Sequence, residues 1–328
     1  MGCGERHHAL RRTVALLLVT LVLLSAATVS HASFSRLLVP EDRSVSVAMT
    51  VRDSGKNASS NVTSVASSNE NKWTWNEVES RGIIPNAREG LSMTAIEDFL
   101  LLFGGCYLDK QCFNDIHIYT PSTRRWTQPF VEGHAPSERE GHTATLVGAI
   151  VYIFGGSSQL GYLRDVAYLN LQPSGHKNDQ QGDELSLQWG FPDIGGIAPA
   201  AREGHSASLY GTRIYYFGGY TDAGYSNELV VLDTDVMAWE HPSVGGLKPT
   251  AREGHVVIAQ RGRMMVQGGF TNGGCLADAW VFDRVTNTWE KANAKGVGPT
   301  ARENSAAVAV NGEMVLVGGC NFGKRRCH

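Results

Sequence analysis

The sequence is short of charge. Asp, Glu, Lys and Arg make up 19% of the 328 residues, and 29 basic against 32 acidic side chains leave a formal net charge of −3. No global basic field is available to recruit nucleic acid or anionic lipid, so no nucleic-acid partner is expected. Aromatic residues are also few, at 9%, whereas glycines number 37. That balance suggests a globular chain with many turns. Between Ser33 and Asn71 there is neither a convincing core pattern nor a helical stripe, only Ser, Asn, Val and Thr, so residues 33–71 are expected to form a disordered linker.

Before that linker stand Arg6, Arg11 and Arg12, then a charge-free apolar run from Thr13 to Val29, then the small residues Ser30 and Ala32. This three-part pattern reads as a secretory signal peptide over residues 1–32, with an uncleaved signal anchor as the alternative. A membrane partner follows only from the anchor, and the expected location is the secretory pathway, secreted or at the cell surface. The linker carries two glycan-acceptor tripeptides, at Asn57 and Asn61. Five cysteines lie beyond the signal, and an oxidising compartment would allow pairs among them, with Cys275 the isolated one.

What the chain has in abundance is repetition. Arg-Glu-Gly begins at Arg88, Arg139, Arg202 and Arg252, and an altered fifth copy, Arg-Glu-Asn, begins at Arg302. The successive offsets are 51, 63, 50 and 50 residues. Sixteen residues after each Arg comes a double glycine, and thirteen before it a tryptophan: Trp75, Trp126, Trp189, Trp239 and Trp289. Nine and ten residues after each Arg stand turn pairs such as Gly211-Thr212 and Asn311-Gly312, so a hairpin of strands a and b is expected there. Strand c follows at Asp115–Tyr119, Asp165–Leu169, Glu228–Leu232 and Asp278–Phe282, and strand d carries the Trp.

A period near 50 residues, the double glycine, the Asn-Asp-like pair some ten residues on and the spaced Trp resemble the kelch-repeat family. The resemblance covers residues 72–328. It implies an all-β fold, a kelch-type β-propeller of four-stranded antiparallel blades, with about five present, the last incomplete, and six in an intact form. The expected divisions are a closing strand at 72–86, blades at 87–137, 138–200, 201–250 and 251–300, and a partial blade at 301–328. Strand c is missing from the last copy, so a truncated version of a longer propeller is expected, with the Trp75 strand closing the ring as kelch proteins usually do.

In such a meander the b–c and d–a loops share one face, which also gathers the Arg-Glu-Gly motifs. Its loops are the unequal parts of otherwise uniform repeats, and binding specificity is expected there. Tyr107, Tyr162, Tyr220, Tyr225, Phe270, Phe322 and Arg325 are the candidate partner-binding residues. Arg88, Arg139, Arg202, Arg252 and Arg302 either form a cationic ring at the channel mouth or are neutralised by the glutamates that follow them. His142, His205 and His255 are expected to make structural hydrogen bonds. Cys106 with Cys112, and Cys320 with Cys327, are expected to staple equivalent b–c loops.

The function expected is a non-enzymatic scaffold that binds a protein or a glycan through this face. No cofactor, metal or catalytic residue is expected. No BTB-, F-box- or BACK-like segment is read ahead of the repeats, which argues against a ubiquitin-ligase adaptor. The alternative comes from exported kelch enzymes: a sugar mutarotase using channel Arg and Glu, or a galactose-oxidase-like copper enzyme.

Overall fold

Strand b of each repeat is an almost unbroken apolar run, as in Phe99–Phe103, Ile150–Phe154 and Arg213–Phe217. A strand of that kind must be covered on both faces, and packing sheets side by side around an axis provides this. The structure is a computed structural model that describes residues 46–51, 73–107, 111–173, 185–260, 262–310, 313–321 and 326–327. Every regular element among the described residues is a strand.

Four blades are complete. Strands a to d are Ser92–Ile96, Phe99–Phe103, Ile116–Thr120 and Arg125–Thr127 in the first blade. In the second they are Thr143–Val147, Ile150–Phe154, Val166–Pro173 and Leu185–Gly190. The third has Ser206–Tyr210, Arg213–Phe217, Leu229–Asp233 and Ala238–Glu240. The fourth has Val256–Gln260, Arg263–Gln267, Ala279–Asp283 and Thr288–Lys291. All neighbours within these meanders are antiparallel. The fifth blade has the hairpin Glu303–Val310 and Glu313–Asn321, with Arg326–Cys327 on its outer side. The inner strands of the five blades pack one against the next in chain order.

The core lies between blades. Phe103, at the end of strand b in the first blade, meets Trp189 of the second edge-on at 5.2 Å. Phe154 meets Trp239 at 5.2 Å, and Phe217 meets Trp289 at 4.9 Å. Each Trp is buried against the preceding blade, so the Trp and the Phe before the double glycine are two halves of one contact. The double glycine makes the close approach possible. A Cβ on Gly218 would lie 2.7 Å from the Arg252 carbonyl oxygen of the next blade, and Gly219 N donates to that same oxygen at 2.8 Å.

Two features differ from expectation. The d–a connection adds a fifth, parallel strand to the outer edge of the blade it leads into: Arg81–Gly82 on Arg125–Trp126, Val131–Glu132 on Leu187–Gln188, and Gly245–Gly246 on Thr288–Trp289. It covers an edge that would otherwise present unpaired backbone groups. The sequence signal is a glycine six residues before every Arg, since Gly82 and Gly246 touch the Trp carbonyl too closely for any Cβ. Second, Trp73–Val78 pairs with Ser46–Val51 and, among the described residues, forms no ladder with the fifth blade. A strand thus lies in the stretch expected as a linker. Its sequence, Ser-Val-Ala-Met-Thr-Val, alternates at the period of a strand. The signal, Asn57, Asn61 and residues 174–184 between strands c and d of the second blade lie outside the described residues.

Candidate functional site

The residues that begin strand a converge on the axis. Glu89, Glu140, Glu203, Glu253 and Glu303, with the residues that follow each, line a cavity of ≈ 360 Å³. Successive turns are tied by backbone hydrogen bonds: Gly141 N to Gly90 O, Gly204 N to Gly141 O, Gly254 N to Gly204 O, and Asn304 N to Gly254 O, all 2.8–2.9 Å. Glu140, Glu203, Glu253 and Glu303 each lie beside the glycine of the blade before, as the 2.7 Å approach of the Glu140 Cβ to an ideal Cβ on Gly90 shows.

The arginines do not join that ring, and they are not paired with the glutamates beside them. Arg139, Arg202 and Arg252 are wholly buried, and Arg88 nearly so. Each binds the acid that opens strand c of its own blade: Arg88 with Asp115, Arg139 with Asp165 at 2.8 Å, Arg202 with Glu228, and Arg252 with Asp278 at 2.7 Å. Each also donates to the carbonyl of the first glycine of the pair, from 2.9 to 3.2 Å in the four blades. A buried guanidinium demands such partners, and the acid lies a constant 26 or 27 residues downstream. That spacing was readable in the sequence. Asp115 is half-buried, which works to raise its pKa, but hydrogen bonds from His117 and Arg88 hold it well below the usual carboxylate range. The fifth arginine, Arg302, is partly exposed and donates to Thr300 and to Gly318 O. A cationic channel mouth is therefore not what the sequence builds. Arg and Glu are adjacent in the chain, but one is enclosed within the blade and the other lines the cavity.

The histidines act as expected. His142 Nε2 lies 2.8 Å from Ser92 Oγ, His205 Nε2 2.9 Å from Thr143 Oγ1, and His255 Nε2 2.8 Å from Ser206 Oγ, each reaching back to the preceding blade. Their Nδ1 atoms are buried without a partner. Burial, helped by the nearby Arg139 and Arg252 charges, pushes His142 and His255 down to about 3, so they stay neutral at ordinary pH.

Four of the aromatic candidates meet. Tyr162 lies 5.9 Å from Tyr220, Tyr220 4.8 Å from Tyr225, and Tyr225 6.2 Å from Phe270, a chain of rings across the b–c hairpins of three blades. Tyr220 and Phe270 are the backbone bridge partners of Glu203 and Glu253, so the rings border the acidic cavity. Burial and the nearby Glu203 carboxylate raise the Tyr162 hydroxyl to about 12; burial and Glu253 do the same for Tyr225. Tyr107 is exposed in the first b–c hairpin. Phe322 and Arg325 lie outside the described residues.

That first hairpin is closed by the Cys106–Cys112 disulfide. Cys320 is also disulfide-bonded and stands opposite Cys327 in the ladder, while the side chain of Cys327 lies outside the described residues. The Cys275 thiol donates toward Glu303 Oε1 at 3.8 Å and the Cys320 carbonyl at 3.6 Å. Among the described residues no group of three or more His, Cys, Asp or Glu could hold a metal ion.

The KLHDC2/KLHL20/DRC7 Kelch-repeats domain family matches residues 52–185 and 182–319. Kelch domain-containing protein 3 of Rattus norvegicus is 31% identical over 163 residues, covering 46% of this chain and 39% of that protein. Acyl-CoA-binding domain-containing protein 4 of Arabidopsis thaliana is 30% identical over 166 residues, 50% of this chain and 23% of that protein. Host cell factor 2 of Homo sapiens is 31% identical over 152 residues, 44% and 17% respectively. The chain thus spans well under half the length of these curated relatives.

Proposed function

This chain belongs to the kelch-repeat family, and from that premise we propose that it is a non-enzymatic scaffold that binds a protein partner on the face formed by its b–c and d–a loops. Protein binding is the general role of kelch domains. The observation that carries the choice of face is the contiguous Tyr162–Tyr220–Tyr225–Phe270 cluster, half-exposed on unequal loops beside a cavity. Aromatic side chains of this kind are the usual energetic anchors of interfaces. A mutarotase-like site needs arginine in the channel mouth, and here Arg88, Arg139, Arg202 and Arg252 are enclosed within the blades.

The experiment is site-specific photo-crosslinking. A benzoylphenylalanine placed at Tyr107, Tyr162 or Phe270 should give a discrete partner adduct in the native secretory extract, while one at Ala149 or Thr212 should not. Adducts formed equally from the a–b turns would refute the assignment of the face. The rings also offer flat surfaces for a sugar, and a glycan array probed with the full chain tests that second reading. We read the location as the secretory pathway, on the strength of the N-terminal pattern and the disulfide-stapled loop.

A further inference from the structure

The b–c hairpins repeat one cross-blade contact, and in its last copy both partners are cysteines. The residue that closes one hairpin lies beside the residue that opens the hairpin of the next blade. Tyr162 thus meets Tyr220 between the second and third blades, and Tyr225 meets Phe270 between the third and fourth. Between the fourth and fifth blades the same two positions hold Cys275 and Cys320, and the Cys275 thiol donates to the Cys320 carbonyl oxygen at 3.6 Å. Cys320 also has a neighbour in its own blade. Each opening residue pairs across its hairpin with the closing one: Cys106 with Cys112, Tyr220 with Tyr225, Phe270 with Cys275. Cys320 pairs in the same way with Cys327. It stands where two cysteines reach it, one from its own blade and one from the blade before, and it is already disulfide-bonded.

From this placement we propose that the disulfide of Cys320 exchanges between two partners, so that a link within the fifth blade and a link from the fourth blade to the fifth are alternative states of one three-cysteine site. The exchange needs no oxidant or reductant. Cys275 gives its proton to water, and its thiolate attacks the Cys320 sulfur. A Cys275–Cys320 bond forms as the existing bond of Cys320 breaks, and the displaced sulfur leaves as a thiolate that takes up a proton. One disulfide and one thiol are present before and after. The ladder designates Cys327 as the cysteine displaced. Cys106 and Cys112 hold the corresponding two positions of the first hairpin and are bonded, so the cross-hairpin state has a precedent in the same chain. The consequence is mechanical. The fifth blade has only a small core around Ala306 and Val308. A bond from Cys275 ties that blade to the fourth, next to the Tyr225–Phe270 contact, and so fixes the edge of the aromatic face. The other state leaves this boundary to packing and hydrogen bonds.

The test is disulfide mapping of the full chain. Thiols are blocked with N-ethylmaleimide at about pH 6, where exchange is slow, and the chain is cut with trypsin without reductant. Cleavage after Arg263, Arg284, Arg302, Lys324 and Arg326 puts the three cysteines in three peptides. Two species are expected from one preparation, each holding at least about a twentieth of Cys320: Cys320 joined to Cys327 with Cys275 blocked, and Cys320 joined to Cys275 with Cys327 blocked. When the chain is reduced under native conditions and reoxidised with glutathione disulfide, the ratio of the two should settle at that of the untreated chain. Cys327→Ser should form the Cys275–Cys320 bond, and Cys275→Ser should hold Cys320 on Cys327 alone, with thermal melts showing that both variants fold. Cys320 found on Cys327 alone in the parent would overturn the proposal, as would thiols at both Cys275 and Cys320 in folded Cys327→Ser. A ratio fixed by how the bond was made would show two dead-end products and no exchange, and a Cys275 bonded to a second chain would remove the site.

Discussion

The fourth and fifth blades begin with nearly the same motif, Arg252-Glu-Gly and Arg302-Glu-Asn, and reach different ends. In the fourth, Arg252 is fully buried, donating to Thr250 O, Gly268 O and both Asp278 oxygens. In the fifth, Arg302 makes the same two backbone contacts, 3.1 Å to Thr300 O and 2.7 Å to Gly318 O, but among the described residues it forms no ion pair with an acid. The core follows suit. Between the third and fourth blades lie Tyr215, Phe217, Met264, Phe282 and Trp289. The fifth blade holds a small cluster around Ala306 and Val308. The motif by itself does not bury its arginine; the rest of the blade does. The largest effect should therefore come from removing that arginine where it is enclosed. Arg252→Ala strands the half-buried Asp278 and the Gly268 carbonyl, and should cost about 4 kcal/mol of stability. Arg302→Ala should cost about 1 kcal/mol. Urea unfolding of the two variants measures the contrast, and equal losses would break it.

The glycine six residues before each Arg sharpens the same comparison. Gly246, at φ 78°, would place a Cβ 2.1 Å from the Trp289 carbonyl oxygen, which is backbone and cannot move aside. Gly296 holds almost the same conformation, φ 87°, with nothing within 4 Å. Gly246→Ala combines left-handed strain with overlap and should cost about 3 kcal/mol, whereas Gly296→Ala carries the strain alone, about 1 kcal/mol. Thermal melts of the pair would show it. Should the two variants melt together, the parallel edge strand contributes nothing in the fourth blade.

Much of this was legible in the sequence, and the illegible parts share a physical cause. The period, the double glycine and the Trp specify strands, and a strand's neighbours follow from the meander. The direction of a side chain in an irregular turn does not follow from any period. Arg202 and Glu203 are adjacent, and only the bridge of Glu203 to Tyr220 decides which residue lines the axis. Likewise, seven candidates were drawn from the loops, but the pairings Ser157 with Tyr162 and Tyr220 with Tyr225 determine which rings meet. The parallel edge strand was missed although its glycine recurs in all five copies, because two residues are too few for a hydrophobic pattern. The strand Ser46–Val51 was missed for want of a glycine or Trp marker.

The histidines give a difference between blades that pH can read. The second, third and fourth blades carry His142, His205 and His255 three residues after the Arg; the first has Leu91 there and the fifth Ser305. An unfolded histidine protonates near pH 6.5, whereas folded His142 and His255, pushed down to about 3 mainly by burial, do not. His205 is driven in the same direction. The unfolded state then binds more protons, so stability is complete above about pH 6.5 and falls as pH drops toward 3. Each histidine loses about 1.4 kcal/mol per pH unit, or about 2 kcal/mol by pH 5. His255→Gln should lower the slope of stability against pH between 6.5 and 5, and Ser305→Ala should leave it unchanged. A slope that His255→Gln does not reduce would mean that this ring is already protonated in the folded chain.

The smallest effect belongs to the one letter that distinguishes the two motifs. Gly254 and Asn304 both hold positive φ, 58° and 51°, and Asn is among the residues that tolerate it best. They differ in what stands next to them. A Cβ on Gly254 would lie 2.9 Å from Asn304 Oδ1 and 3.5 Å from the Glu303 Cβ of the following blade, whereas Asn304 is exposed. The fifth position is exposed and keeps a side chain. Asn304→Gly relieves mild strain but gives the unfolded chain more freedom, and should leave stability within about 0.5 kcal/mol of the parent. Gly254→Asn has to displace the Asn304 side chain and should cost about 1 kcal/mol. A larger loss from Asn304→Gly would locate its contribution elsewhere: in the 3.4 Å contact from Nδ2 to Glu303 Oε2, which holds the last carboxylate of the ring in place.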